Sequence, residues 1–101
     1  MFYEPENGCP LKYSPFKAIV SPRPIGWISS QDLNGNVNLA PYSFFNAIND
    51  RPPMIVFSAT GYKEKDSGVK DSIRNVIETR EFVVNIVSRS LLHQMNTTSG
   101  I

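Results

Sequence analysis

The chain has 101 residues, room for at most one domain, and its 41% apolar and 19% charged content is that of a folded protein, not a disordered one. Ten basic against nine acidic side chains leave a formal charge of +1, so no bulk field draws nucleic acid and any bound anion must be gripped locally. Apolar runs such as Phe82-Val83-Val84 fall far short of the ~20 residues of a membrane span.

Residues 1–15 hold three prolines and few apolar pairs, and read as an irregular lead-in. Met1 is followed by Glu4 and Glu6 rather than a basic and then apolar leader, so the expected compartment is cytoplasmic and reducing. Cys9 is the single cysteine and offers neither an intrachain disulfide nor a metal cluster. Ser14-Pro15 starts a predicted helical turn from Phe16 to Ile19, with proline at its first position. Pro22 and Pro24 flank Arg23 and hold that stretch extended.

Ile25 to Gln31 predicts a strand, Asp32-Leu33-Asn34-Gly35-Asn36 a turn in which Asn-Gly supplies the left-handed residues of a tight hairpin, and Val37 to Ala40 the returning strand. Pro41 to Asn49 mixes aromatic and polar residues and reads as a packed loop, closed by Asp50, Arg51 and Pro52-Pro53. Met54 to Ala59 carries the run Met-Ile-Val-Phe, the pattern of a buried strand, and Gly61 to Gly68 reads as a charged loop. Asp71 to Thr79 places Ile73, Val76 and Ile77 at helical spacing. Glu81 to Ser88 is apolar on both faces and predicts a central strand buried on two sides, and Ser90 to Met95 begins a last helix. This makes four strands, too few to close a barrel. The expectation is a truncated barrel, or one completed by a second copy of the chain.

Conventional catalytic sets are missing from the sequence. His93 is the single histidine, and there is no phosphate-binding glycine loop and no Cys/His metal spacing. What remains is hydroxyls and local cations: Ser29 and Ser30, Ser43 among aromatics, Ser58 and Thr60, and Lys70-Asp71-Ser72 at the start of the amphipathic helix. A helix start presents unpaired N–H groups and attracts phosphate; Lys70 adds charge, Ser72 a donor, and Asp71 reads as the cap. The segment Tyr42-Ser43-Phe44-Phe45 offers apolar faces and amides, as a flat heteroaromatic ligand would need. Together these outline a phosphorylated planar ligand.

The segments Ser21-Pro22-Arg23-Pro24-Ile25-Gly26-Trp27-Ile28-Ser29-Ser30 and Asn38-Leu39-Ala40-Pro41-Tyr42-Ser43-Phe44-Phe45-Asn46 resemble the signature of the flavin reductase-like family. Pro52-Pro53-Met54-Ile55-Val56-Phe57-Ser58, Lys70-Asp71-Ser72 with Asn75, Glu81-Phe82-Val83-Val84-Asn85 and Met95-Asn96 continue the likeness in order. The resemblance implies a mainly β fold with minor α, an FMN-binding split β-barrel incomplete at the C-terminus, with residues 1–101 forming the N-terminal part of one domain. It implies a homodimer with flavin at the subunit interface, NAD(P)H as co-substrate, and a monooxygenase as a partner for reduced flavin. Ser29, Ser30 and Tyr42, Ser43 and Phe44 are then expected to line the ribityl chain and ring, and Ser58, Lys70, Ser72 and Lys63 to serve the phosphate. The other reading is a non-catalytic flavin-binding or dimerising module. A nucleic-acid-binding barrel is disfavoured by the near-zero charge.

Overall fold

The computed structural model describes residues 2–13, 15–59 and 71–99. After a single 3₁₀ turn at Pro5–Asn7, the elements are α1 (Phe16–Ile19), β1 (Gly26–Gln31), β2 (Val37–Tyr42), β3 (Phe45–Asn49), β4 (Met54–Phe57), α2 (Asp71–Thr79), β5 (Val83–Asn85) and α3 (Leu92–Thr98). A 3₁₀ turn at Arg89–Leu91 leads into α3. The fold is mainly β with minor helices. A three-stranded antiparallel sheet runs in the order β2-β1-β5, and β3 and β4 form a second, two-stranded antiparallel sheet. Among the described residues the two sheets do not close into a barrel.

The expected strands at Ile25–Gln31 and Val37–Ala40 form, in the register Ile28↔Ala40 and Ser30↔Asn38. Their connection differs in detail from a two-residue Asn-Gly turn. Only Gly35 takes a left-handed backbone, at φ 85°, and Asp32 organises the rest. Asp32 Oδ1 accepts the N–H groups of Asn34 and Asn36 at 2.8 and 2.9 Å, and its Oδ2 accepts Asn36 Nδ2 at 2.9 Å. This is a side chain imitating a backbone turn. The loop spans Asp32–Asn36, as expected, and is closed by Asp32 N–H donating to Asn36 O at 3.0 Å.

The core sits on β1. Ile28 has 0% of its surface exposed, Trp27 is buried, and Ser30 is buried with them. Helix α2 packs over β1 and β2, and Asn75 Nδ2 donates to Ser30 Oγ at 3.2 Å. On Trp27, the indole Nε1–H donates to Thr98 Oγ1 of α3 at 3.0 Å. The strand buried on two sides is therefore β1, not Glu81–Ser88. That segment shortens to β5, an edge strand with Val83 and Ile86 exposed. Its two apolar faces gave the pattern of a central strand, but among the described residues only β1 lies beside it, so its other edge has no partner there.

Two further expectations change. Pro41–Asn49 is not one loop: β2 continues through Pro41 to Tyr42, and β3 begins at Phe45 after a two-residue corner. Pro41 is tolerated because β2 is an edge strand. The Met54 run does form a strand, giving five strands in all among the described residues, but it is not buried. Met54, Ile55 and Val56 are exposed, as is Ile48 on β3. The Gly61–Gly68 loop lies outside the described residues.

Gly26 joins the two sheets. It pairs with Tyr42 at the end of the first sheet, and a Cβ added there would lie 2.7 Å from Phe45 Cδ1 at the start of the second. The aromatic ring rests where any other residue would carry its side chain, which is why this strand position is glycine.

Candidate functional site

The corner between β2 and β3 places Tyr42, Ser43 and Phe44 on one cleft of about 200 Å³, together with Pro41, Ser58, Lys17 and Arg23. Local geometry holds this wall firmly. Ser58 N–H donates to Phe44 O at 2.9 Å, tying the end of β4 to the corner. The Phe44 ring meets Phe16 of α1 edge-on, with centroids 6.4 Å apart and planes at 84°. Tyr42 packs on Phe57 at 5.2 Å, and Phe57 on Phe82 at 4.9 Å, so an aromatic row runs from the corner to the lead-in of β5.

Arg23 closes the cleft from the other side. Its guanidinium lies over the Phe44 ring, 5.1 Å from the centroid, an arrangement that attracts through the ring's negative face. Among the described residues, Arg23 Nη1 is buried without a hydrogen-bond partner. A buried N–H without a partner costs about 1–3 kcal/mol. The flanking Pro22 and Pro24 restrict the backbone that carries it.

Ser29 and Ser30 do not join this cleft. They line another of about 240 Å³, with Gln31, Val37, Glu81, Phe82 and Val83. Both hydroxyls are already engaged: Ser29 Oγ accepts Asn85 Nδ2 at 3.2 Å, and Ser30 Oγ accepts Asn75 Nδ2. Asn85 Nδ2 also reaches Trp27 O at 3.0 Å, fixing β5 to β1. Ser72 is 0% exposed, and its Oγ accepts Asn38 Nδ2 at 2.7 Å, linking α2 to β2. Asp71, expected as the helix cap, is the first residue of α2, and its carboxylate receives Arg74 Nη2 at 2.7 Å. Lys63, Lys70 and Thr60 lie outside the described residues.

The structure thus brings Tyr42, Ser43, Phe44 and Ser58 together, sets Ser29 and Ser30 in a different cleft, and buries Ser72 against Asn38. The sequence reading did not single out Arg23 or Lys17 as cations of the site, nor Asn38, Asn75 and Asn85 as a buried amide set. A signal existed for both. Asparagine is disfavoured inside strands and helices, so its place in β2, α2 and β5 asks for a buried partner. An arginine held between two prolines is likewise pre-positioned.

His93 is exposed on α3, and no group of three or more His, Cys, Asp or Glu among the described residues is placed to hold a metal ion. No helix among them is long and apolar enough to cross a membrane.

Comparison with known proteins adds a family. The family model described as the flavin reductase like domain matches residues 20–101. An uncharacterized protein of Aquifex aeolicus is 45% identical over 80 residues, covering 79% of this chain and 40% of that protein. Among solved structures, nitrilotriacetate monooxygenase component B from Bacillus cereus superposes with a TM-score of 0.75 at 33% identity, over 97% of this chain and 48% of that one. Pseudomonas fluorescens 2-nitrobenzoate 2-nitroreductase NbaA gives a TM-score of 0.68 at 29% identity, over 88% of this chain and 44% of that one. The chain therefore spans less than half the length of each of these proteins.

Proposed function

The chain belongs to the flavin reductase-like family, and on that premise we propose that it forms part of an FMN-binding oxidoreductase that reduces flavin with NAD(P)H. The observation that carries this reading is the cleft at the β2–β3 corner. It gathers aromatic faces, two serines and two cations on four separate segments of the chain. A flavin needs that combination: apolar contact for its ring, and hydrogen-bond donors and positive charge for its polar edge and phosphate.

Bound flavin supplies the hydride and electron transfer, and the protein supplies position and electrostatics. Phe44, fixed by Phe16 and Arg23, offers a rigid apolar face, and Tyr42 extends it through Phe57. Ser43 and Ser58 offer hydroxyls beside that face. Ser29 and Ser30, seated on Asn85 and Asn75, line a second cleft and in this reading serve the ribityl chain. Ser72 in the first turn of α2, steadied by Asn38, serves the phosphate in this reading together with Lys70 and Lys63.

The family likeness further supports a homodimer, a cytoplasmic setting and a monooxygenase that receives the reduced flavin. The last rests on the similarity to a protein described as a monooxygenase component. The exposed apolar residues of β3 and β4 supply a face for the second copy.

Fluorescence titration of the chain with FMN and riboflavin, with the oligomeric state read on the same sample, tests the proposal. Saturable quenching of FMN emission is expected, with Lys70→Ala weakening FMN more than riboflavin, because only FMN carries the phosphate. NADH oxidation by the loaded dimer then separates a reductase from a non-catalytic flavin-binding module. A chain that quenches neither flavin as monomer or dimer overturns the reading.

A further inference from the structure

The geometry points to a second oxyanion subsite, built by Arg23 and Lys17 in the cleft at the β2–β3 corner, that takes a phosphate group. Three observations converge. Arg23 and Lys17 line one cleft with the hydroxyl-bearing Ser43 and Ser58, and among the described residues no Asp or Glu lines it. Arg23 Nη1 is buried without a partner among the described residues, a donor whose burial is costly until an acceptor reaches it. The guanidinium is held against the Phe44 ring and its backbone is restrained by two prolines, so little freedom is lost when a ligand binds.

Size and charge choose the ligand class. About 200 Å³ is below the ~300–1,000 Å³ of pockets that enclose a whole drug-sized ligand, so the cleft seats a group and not an entire cofactor. Two cations match a phosphate monoester, which carries about −1.5 to −2 charge at neutral pH. A guanidinium also presents several N–H donors in a fixed fork suited to phosphate oxygens.

This subsite does not include Ser72, the described residue of the site proposed at the start of α2. Ser72 sits on Asn38, whereas the cleft is lined by Tyr42, four residues further along the same strand. At ~3.3 Å per residue the two strand positions are roughly 13 Å apart, so the Ser72 hydroxyl is not part of this cleft. The phosphate at Arg23 then comes either from a nicotinamide nucleotide or from the flavin itself, the latter replacing Lys70 and Ser72 as the seat of the flavin phosphate. The subsite stands on its own observations, and only the flavin arm of its test rests on the proposed function.

The test is an amide NMR titration of the chain with inorganic phosphate. Saturable shifts at Ser43 and Phe44 are expected, and Arg23→Gln should raise the Kd at least tenfold while the remaining amide spectrum stays in place. Lys17→Gln should give a smaller loss, and it decides the matter if Arg23→Gln fails to fold. Phosphate binding by both folded variants as in the parent chain overturns the subsite, as does a parent chain whose Ser43 and Phe44 amides ignore phosphate. The source follows from titrating parent and Arg23→Gln with FMN, riboflavin and NADP⁺. A loss for FMN but not riboflavin assigns the flavin phosphate, and a loss confined to NADP⁺ assigns the nucleotide. A chain that binds no flavin, yet loses phosphate in Arg23→Gln, overturns the proposed function and keeps the subsite.

Discussion

Asp32 shows how one side chain sets a hairpin. Its carboxyl is held below the ordinary carboxylate range, first by the Asn36 side-chain amide, then by the Asn36 and Asn34 backbone N–H groups and the positive charge of Arg74. A lowered folded value means the stabilisation is fully present above the unfolded value of about 3.9 and is lost as pH falls through the folded one. The hairpin is thus expected to hold at neutral pH and to loosen only in strong acid. A carbon-detected NMR titration should place the Asp32 midpoint below that of a free aspartate, and Asn36→Ala should move it back up. An Asp32 midpoint unchanged by Asn36→Ala would show that the amide is not the cause. The position of this turn was legible from Asn34-Gly35, but its mechanism was not. The dipeptide marks where the chain reverses, whereas the Asp32 bonds depend on a loop long enough for the side chain to fold back. Arg23 is half legible for a related reason: its prolines announce a restrained, extended backbone, but nothing local announces the Phe44 ring it meets.

At the scale of elements, the most informative contact is the one between Gly26 of β1 and Phe45 of β3. Gly26→Ala places a methyl 2.7 Å from the Phe45 ring, so the ring or the strand must move. Overpacking of this kind costs about 1–3 kcal/mol. A urea melt followed by circular dichroism should show the midpoint falling with little change in slope, and a midpoint equal to the parent's would mean the two sheets slide apart freely. Helix α2 was readable to the residue because its apolar spacing is complete within the segment. The burial of β4 and β5 was misread because a short apolar run states what a strand could bury, not what lies against it. For β4, Phe57 finds Tyr42 and Phe82, while Met54, Ile55 and Val56 remain exposed. Of the site, the serines and aromatics were legible by resemblance. Their division between two clefts was not, since it follows from the corner at Ser43-Phe44 and from which hydroxyls the asparagines occupy.

As a whole molecule the chain is more open than its mass requires. Its accessible surface is 8112 Å², against about 5,700 Å² for a compact monomer of 11.3 kDa. Its radius of gyration is 15.9 Å, where about 13 Å is usual for 100 residues. The excess matches the size of a large protein–protein interface, and Ile48, Met54, Ile55 and Val56 of β3 and β4 are among the exposed apolar residues. The isolated chain is expected to self-associate, with sedimentation velocity showing a weight-average mass that rises with concentration. A monomer at all concentrations would mean that this face tolerates water. The indole bond between Trp27 and Thr98 has a practical corollary. Trp27 is the single tryptophan, buried on β1 and tied to α3, so the ultraviolet emission of the whole chain is that of one reporter. Its colour signals whether α3 is seated: light emitted from a dry indole lies to the blue, and departure of the helix shifts it to the red.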